Sequence, residues 1–191
     1  MEKFTKLKDK NEIKVSDKDE IAYSDDRLKI IKYEDWSVVK SNDSVICVPY
    51  LIESNEIILR HEYVPTFKYV DGQEYHVTVI AGGIEYGETP DQAMLRELEE
   101  ESGIVLRDDY KLEVEGPIFL FKGIADKFYL YVLPLNERDY HEVIARGDGS
   151  VVEEKSKSVK VSAKYIDSLK PSEIITKYML LKVKDYLNIT V

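Results

Sequence analysis

The chain has 191 residues, 43% hydrophobic and 34% charged, which supplies the core of one sizeable domain and excludes a disordered chain. Its formal net charge of −10 argues against a grip on a nucleic-acid backbone, which takes clustered Lys and Arg, so nucleic acid is not an expected partner. A single cysteine excludes an internal disulfide, and the longest apolar runs (45–52 and 128–135) are far too short to span a membrane.

In chain order, residues 1 to about 20 are rich in Lys, Asp and Glu and read as a loosely attached leader. They lack the apolar segment of a signal peptide, so a cytoplasmic protein is expected. Residues 27–39 (RLKIIKYEDWSVV) alternate well enough for one or two strands, with Trp36 packed on the main body or on a partner subunit. Residues 44–52 and 56–60 read as a hairpin around Glu53-Ser54-Asn55, with Pro49 suggesting an edge position or a bulge. Cys47 lies in the apolar run VICVP and reads as a buried structural thiol. Asp71-Gly72 is a hairpin-turn signal, followed by a strand over 75–80 that runs into Gly82-Gly83. His61, His76 and His141 are isolated, so a histidine metal site or triad has little support.

Gly82, Gly83 and Gly87 read as a loop where backbone can approach a ligand closely. Thr89 is the expected N-cap of a helix with Pro90 in its first turn, ending at Gly103. On a helical wheel Met94, Leu95 and Leu98 share a core face, Glu97, Glu100 and Glu101 gather roughly opposite, and Glu99 points away. Like charges three or four apart repel by a few tenths of a kcal/mol per pair, so this concentration of acid signals a positive partner. A hard divalent cation with oxygen ligands fits best; the plain alternative is a solvated acidic face. Arg96 is expected to pair back to Glu88 across the loop.

Residues 113–121 and 127–135 read as two more strands, and 136–150 as an exposed loop or a short helix. Glu153 and Glu154 then precede an alternating segment over 158–166. Pro171 opens a final helix to about residue 187, with Ile174, Ile175, Tyr178, Leu181 and Val183 available to pack. The order predicts a mixed α+β layered domain: residues 1–42 as a small N-terminal strand segment and 43–191 as the main domain.

Residues 82–104 resemble the signature of the Nudix hydrolases, G-x5-E-x7-R-E-U-x-E-E-x-G-U with U a bulky aliphatic residue. Gly82, Glu88, Arg96, Glu97, Leu98, Glu100, Glu101, Gly103 and Ile104 fill every defined position. The resemblance implies an α/β/α sandwich with a mixed sheet between helices. It also implies hydrolysis of a nucleoside diphosphate linked to another moiety, with Mg²⁺ or Mn²⁺ required. Glu97, Glu100, Glu101 and the Ala81 carbonyl are the implied metal ligands. Arg96 and Glu88 are implied to fix the loop against the helix, and Glu153 or Glu154 to act as general base or additional ligand.

Within the family the layout is similar to that of the ADP-ribose pyrophosphatases: an N-terminal strand segment, a strand ending in Arg (IILRHEY), then a glycine loop. That similarity implies ADP-ribose as the leading substrate, cleaved to AMP and ribose 5-phosphate, and a homodimer with exchanged N-terminal segments. It further implies Arg60, Tyr63, Gly82 and Gly83 as substrate contacts, with Tyr63, Phe67 and Tyr69 able to stack an adenine. The proline that this subgroup carries in a turn beyond the signature is not matched, since Pro117 falls early. Nucleoside diphosphate sugars, dinucleoside polyphosphates, capped RNA ends and modified nucleotides stay open as substrates. A non-catalytic nucleotide-binding module on the same fold is the reading from another class; the intact carboxylates favour the enzyme. Isomerisation of an isoprenoid diphosphate would need a placed cysteine acid, for which Cys47 is poorly located.

Overall fold

The computed structural model describes residues 20–25 and 27–190, so most of the expected N-terminal leader lies outside the described residues. Three short strands, β1 (Glu20–Ser24), β2 (Lys29–Tyr33) and β3 (Trp36–Lys40), form an antiparallel sheet of their own. β1 adds a strand ahead of the expected ones, where the charged leader gives way to Ile21-Ala22-Tyr23. Trp36 is 60% exposed, so of its two expected covers the main body does not supply one.

A buried polar joint ties this sheet to the rest of the chain. Lys40 Nζ donates to Asp43 Oδ1 at 2.8 Å and to Asp126 Oδ1 at 2.9 Å. Ser41 N–H donates to Asp126, and the Lys127 N–H to Asp43. All three charged side chains are buried, and such a network is held because breaking one partner strands the others away from water.

The main sheet begins with β4 (Ser44–Leu51), β5 (Glu56–Tyr63), β6 (Tyr75–Thr78) and β7 (Ile80–Gly83), with α1 (Pro65–Asp71) between β5 and β6. β4 and β5 pair only at Tyr50–Ile57 and Leu51–Glu56, as the expected hairpin, and then splay apart. The 75–83 segment fills the gap: β6 pairs β5, the chain breaks at Val79, and β7 pairs β4. The single strand expected over 75–80 is therefore two, and Gly82-Gly83 are strand residues rather than loop. Pro49 is not on an edge strand. Its missing N–H is tolerated because it falls where the neighbour of β4 changes from β7, ending at Cys47, to β5, starting at Tyr50. Asp71-Gly72 ends α1 instead of turning a hairpin, with Gly72 as its left-handed cap.

α2 (Pro90–Ser102) leads into β8 (Ile104–Leu106), and β9 (Glu115–Ile118), β10 (Phe128–Leu135) and β11 (Tyr140–Glu142) follow. β10 pairs β4 in parallel over eight residues, and β8 with β11 forms a separate two-stranded sheet. The chain ends with α3 (Val151–Lys155), β12 (Lys157–Ser162), a 3₁₀ turn and α4 (Ile174–Thr190). The seven-stranded sheet runs β12-β5-β4-β10-β9, with β6 and β7 attached to β5 and β4.

The continuous apolar run of β4 follows from cover on both faces. Val45 and Cys47 join Met94, Leu98 and Leu133 on the α2 side, while Ile46, Val48 and Tyr50 join Met179, Leu180 and Val183 on the α4 side. This is the expected mixed sheet between helices. α4 differs in detail: Ile174, Tyr178 and Leu181 are exposed, and Met179 and Leu180 join the expected Val183 in the core. No described helix is long and apolar enough to cross a membrane.

Candidate active site

α2 starts where its sequence says it should. Thr89 Oγ1 accepts from the Gln92 N–H, and the Gln92 side chain accepts from the Thr89 N–H, a reciprocal cap with Pro90 in the first turn. Gly103 closes it in the left-handed region, φ 71°. The helix buries Ala93, Met94, Leu98 and Glu101, whereas Leu95 is 40% exposed. Glu101 therefore lies not opposite the core face but on it, continuing the Met94–Leu98 stripe at i, i+4, i+7. A carboxylate occupies a core position.

The other carboxylates gather around it. A cleft of roughly 300 Å³ is lined by Asn42, Ala81, Gly82, Gly83, Glu85, Arg96, Glu97, Glu100, Glu101, Asp148 and Glu153. Arg96 binds across it: Nε and Nη2 donate to Glu88 at 2.9 and 3.0 Å, Nη1 to Glu97 at 2.7 Å and Glu100 at 3.1 Å, and Nη2 also to the Gly83 carbonyl at 2.9 Å. The expected Arg96–Glu88 pair is present, and Arg96 also bridges two of the helix carboxylates. Gly82 is required by close approach. A Cβ there would overlap the Glu97 carboxylate, so a bare backbone lets Glu97 lie against the β7 strand.

A family model described as NUDIX domain matches residues 41–160, more than half of the chain. The chain belongs to the Nudix family. As a Nudix pyrophosphohydrolase it keeps every carboxylate of the signature: Glu97, Glu100 and Glu101 line one cleft, and Glu88 is tied to it through Arg96. A solved structure described as "Crystal structure of ADP compounds hydrolase" is similar in fold, with a TM-score of 0.65, 18% identity, and coverage of 90% of this chain and 92% of that one. No curated protein matches the chain.

The electrostatics of this Nudix cleft are set by burial. Burial is the main cause that raises the Glu97 carboxyl above its ordinary range, partly offset by Arg96. Glu101 is held well above it, first by burial, with Glu153 and Glu97 adding repulsion and Arg60 opposing. Glu88 is lowered by its bonds from Arg96. A buried and a half-buried carboxylate kept reluctant to ionise, beside further oxygen donors, suit a hard cation, because a cation would reverse that penalty. Among the described residues no three such side chains lie at mutual coordination distance; Glu97 and Glu100 are paired with Arg96.

Other expected site residues fall elsewhere. Arg60 is 2% exposed, lies beside the cleft in the lining of a neighbouring groove, and is engaged by acidic residues of the chain. Its Nη2 donates to both oxygens of Glu153, at 3.0 and 2.8 Å, and Nη1 donates to the Glu101 carbonyl. Its Nε lies 3.5 Å from Glu101 Oε1, an ion pair without a hydrogen bond. The pattern IILRHEY gave no sign of this, because the partners lie far along the chain. Tyr63 does not line the cleft; Tyr75 and the Lys155 ammonium pack on its ring. Phe67 packs on His76, and Tyr69 is almost fully exposed. Glu153 and Glu154 stand on α3 rather than on an irregular loop; Glu153 borders the cleft and Glu154 does not. Asn42 and Asp148 line the cleft without having been singled out, although Asp148 sits in Gly147-Asp148-Gly149, a usable signal.

Gly82→Ala is expected to expel the Glu97 carboxylate from the strand and cut turnover about a hundredfold, the scale on which misplaced reacting groups fail. Steady-state kinetics check it; turnover within twofold of the parent would show that Glu97 need not lie against Gly82.

Proposed function

We propose that this chain hydrolyses the diphosphate bond of a nucleoside diphosphate joined to a second moiety, with ADP-ribose, giving AMP and ribose 5-phosphate, as the leading substrate. The observation that carries this is the facing of Glu97, Glu100 and Glu101 across a cleft against the bare backbone of Ala81–Gly83. The likeness in fold to an ADP compounds hydrolase supports an adenosine diphosphate compound. Glu97, Glu100, Glu101 and the Ala81 carbonyl would supply an oxygen-only donor set for Mg²⁺ or Mn²⁺. Bound there, the ion would screen the diphosphate oxygens and acidify an attacking water.

The chain's own residues then divide the remaining work. Gly82 and Gly83 let the diphosphate lie along β7. Arg96 and Glu88 hold the 84–89 loop against α2 through three hydrogen bonds to Glu88 and Gly83 besides those to the helix. Glu153, oriented by both contacts from Arg60, takes the proton of the water. A cytoplasmic site of action suits the unpaired, buried Cys47.

The decisive experiment is a panel of nucleoside diphosphate derivatives with Mg²⁺ or Mn²⁺, reading which half leaves as a monophosphate. Release of AMP from ADP-ribose supports the reading; preferential cleavage of a dinucleoside polyphosphate would replace the substrate, and a silent panel would sink it. Glu153→Gln should lower turnover by about a hundredfold or more, the worth of a placed base, while Glu154→Gln stays within twofold. The reverse ranking would move the base to Glu154.

The protein is further proposed to form a homodimer through its N-terminal sheet, where Ile21, Tyr23, Tyr33 and Trp36 are all at least half exposed. Deletion through Val39 should leave a monomer by light scattering. An unchanged dimer would place the interface elsewhere.

A further inference from the structure

A polyanionic substrate entering this cleft meets six acidic side chains, Glu85, Glu97, Glu100, Glu101, Asp148 and Glu153, and one arginine. That arginine, Arg96, is taken up by Glu88, Glu97 and Glu100, and Arg60 behind it by Glu153 and Glu101. Neither guanidinium can turn to a ligand without leaving buried or half-buried carboxylates unpaired.

Arg146 differs. It is exposed, and among the described residues its guanidinium has no ion-pair or hydrogen-bond partner. Its backbone is nonetheless fixed. The Val143 N–H donates to the Gly103 carbonyl at 2.7 Å and the Gly147 N–H to the Glu100 carbonyl at 2.9 Å, which pins the segment on both sides of Arg146 to the end of α2. Gly103 permits the seat, since a Cβ there would overlap the Val143 carbonyl. Arg146 lines both grooves that flank the cleft. One, about 580 Å³, it shares with Arg96, Glu100 and the exposed Ile144; the other, about 370 Å³, with Arg60, Glu101 and Glu153.

We propose that Arg146 is the substrate-anion contact of this site, its guanidinium binding non-bridging phosphoryl oxygens of the nucleoside diphosphate in the place expected for Arg60. The proposal rests on the hydrolase reading above. An unpaired guanidinium on a fixed backbone offers two parallel N–H donors to a phosphoryl group, which an ammonium cannot reproduce.

The test compares the full chain with Arg146→Ala, Arg146→Lys and Arg138→Ala, the last removing an exposed cation outside the cleft. KM and kcat are measured on the panel member that the parent protein cleaves, at low and high salt. Binding of a methylene-bridged, non-hydrolysable ADP-ribose analogue is measured by calorimetry with saturating Mg²⁺. Arg146→Ala should raise both KM and the analogue's Kd about tenfold, the worth of a charged hydrogen bond, with kcat within threefold and the salt dependence reduced. Arg146→Lys should recover part of this, and Arg138→Ala should match the parent. Unchanged KM and Kd in Arg146→Ala overturn the proposal, as does a loss confined to kcat, which would mark a role through the neighbouring carboxylates. If the parent cleaves no panel member the hydrolase reading fails, while the calorimetric arm still decides Arg146; an analogue that the parent does not bind overturns it.

Discussion

Glu101→Gln should lower Mg²⁺- or Mn²⁺-dependent turnover by at least about a hundredfold, close to 2.7 kcal/mol at the transition state, while leaving the fold intact. The substitution keeps the shape of a side chain that fills a core-stripe position and removes only its charge. Burial already holds this carboxyl well above its ordinary pKa, so a neutral amide relieves a penalty in the metal-free protein. The melting temperature should therefore stay level or rise as activity falls, and that opposition is what separates a functional carboxylate from a structural one. Near-normal turnover, with folding confirmed by circular dichroism, would remove Glu101 from the reaction.

Arg60→Met should destabilise the metal-free protein by about 3–5 kcal/mol, because it leaves Glu101 and Glu153 in a buried site without their countercharge. The pH dependence follows from Glu101. Its folded pKa lies above the unfolded value of about 4.3, so the folded state binds the proton more tightly and protonation favours folding. That favourable contribution is complete below the unfolded value and is lost as pH rises toward the folded one. Removing Arg60, which opposes the shift, raises the folded value further. The deficit of Arg60→Met relative to the parent should accordingly be large at pH 8 and shrink toward pH 4.5 in denaturant titrations. An equal deficit at both pH values would assign the loss to packing rather than to stranded charge.

What was legible in the sequence was local. The cap at Thr89, the stop at Gly103 and the Arg96–Glu88 pair all follow from residues within one loop and one helix, and the structure has each of them. The order of strands around one acidic helix and one final helix predicted a layered α+β domain, and the resemblance of 82–104 implied the sheet between helices that the structure has. The departures came where a partner far along the chain decides. Val79 breaks a strand only because β4 and β5 diverge, which no pattern over 75–83 records. Asp71-Gly72 serves a hairpin and a helix end equally well, since both use a residue in the left-handed region. Arg60 reads as a strand-end cation until Glu153 is placed beside it, 93 positions later. Asn42 and Asp148 reach the cleft through tertiary placement, and the first has no local motif at all.

The buried Lys40–Asp43–Asp126 joint has a mechanical consequence. Its three charges bracket Asn42, which lines the cleft, and together with the Val39 backbone bonds to Gly123 and Ala125 they fasten the N-terminal sheet beside that rim. A partner bound to the appended sheet would therefore load the backbone next to Asn42, at the mouth of the cleft.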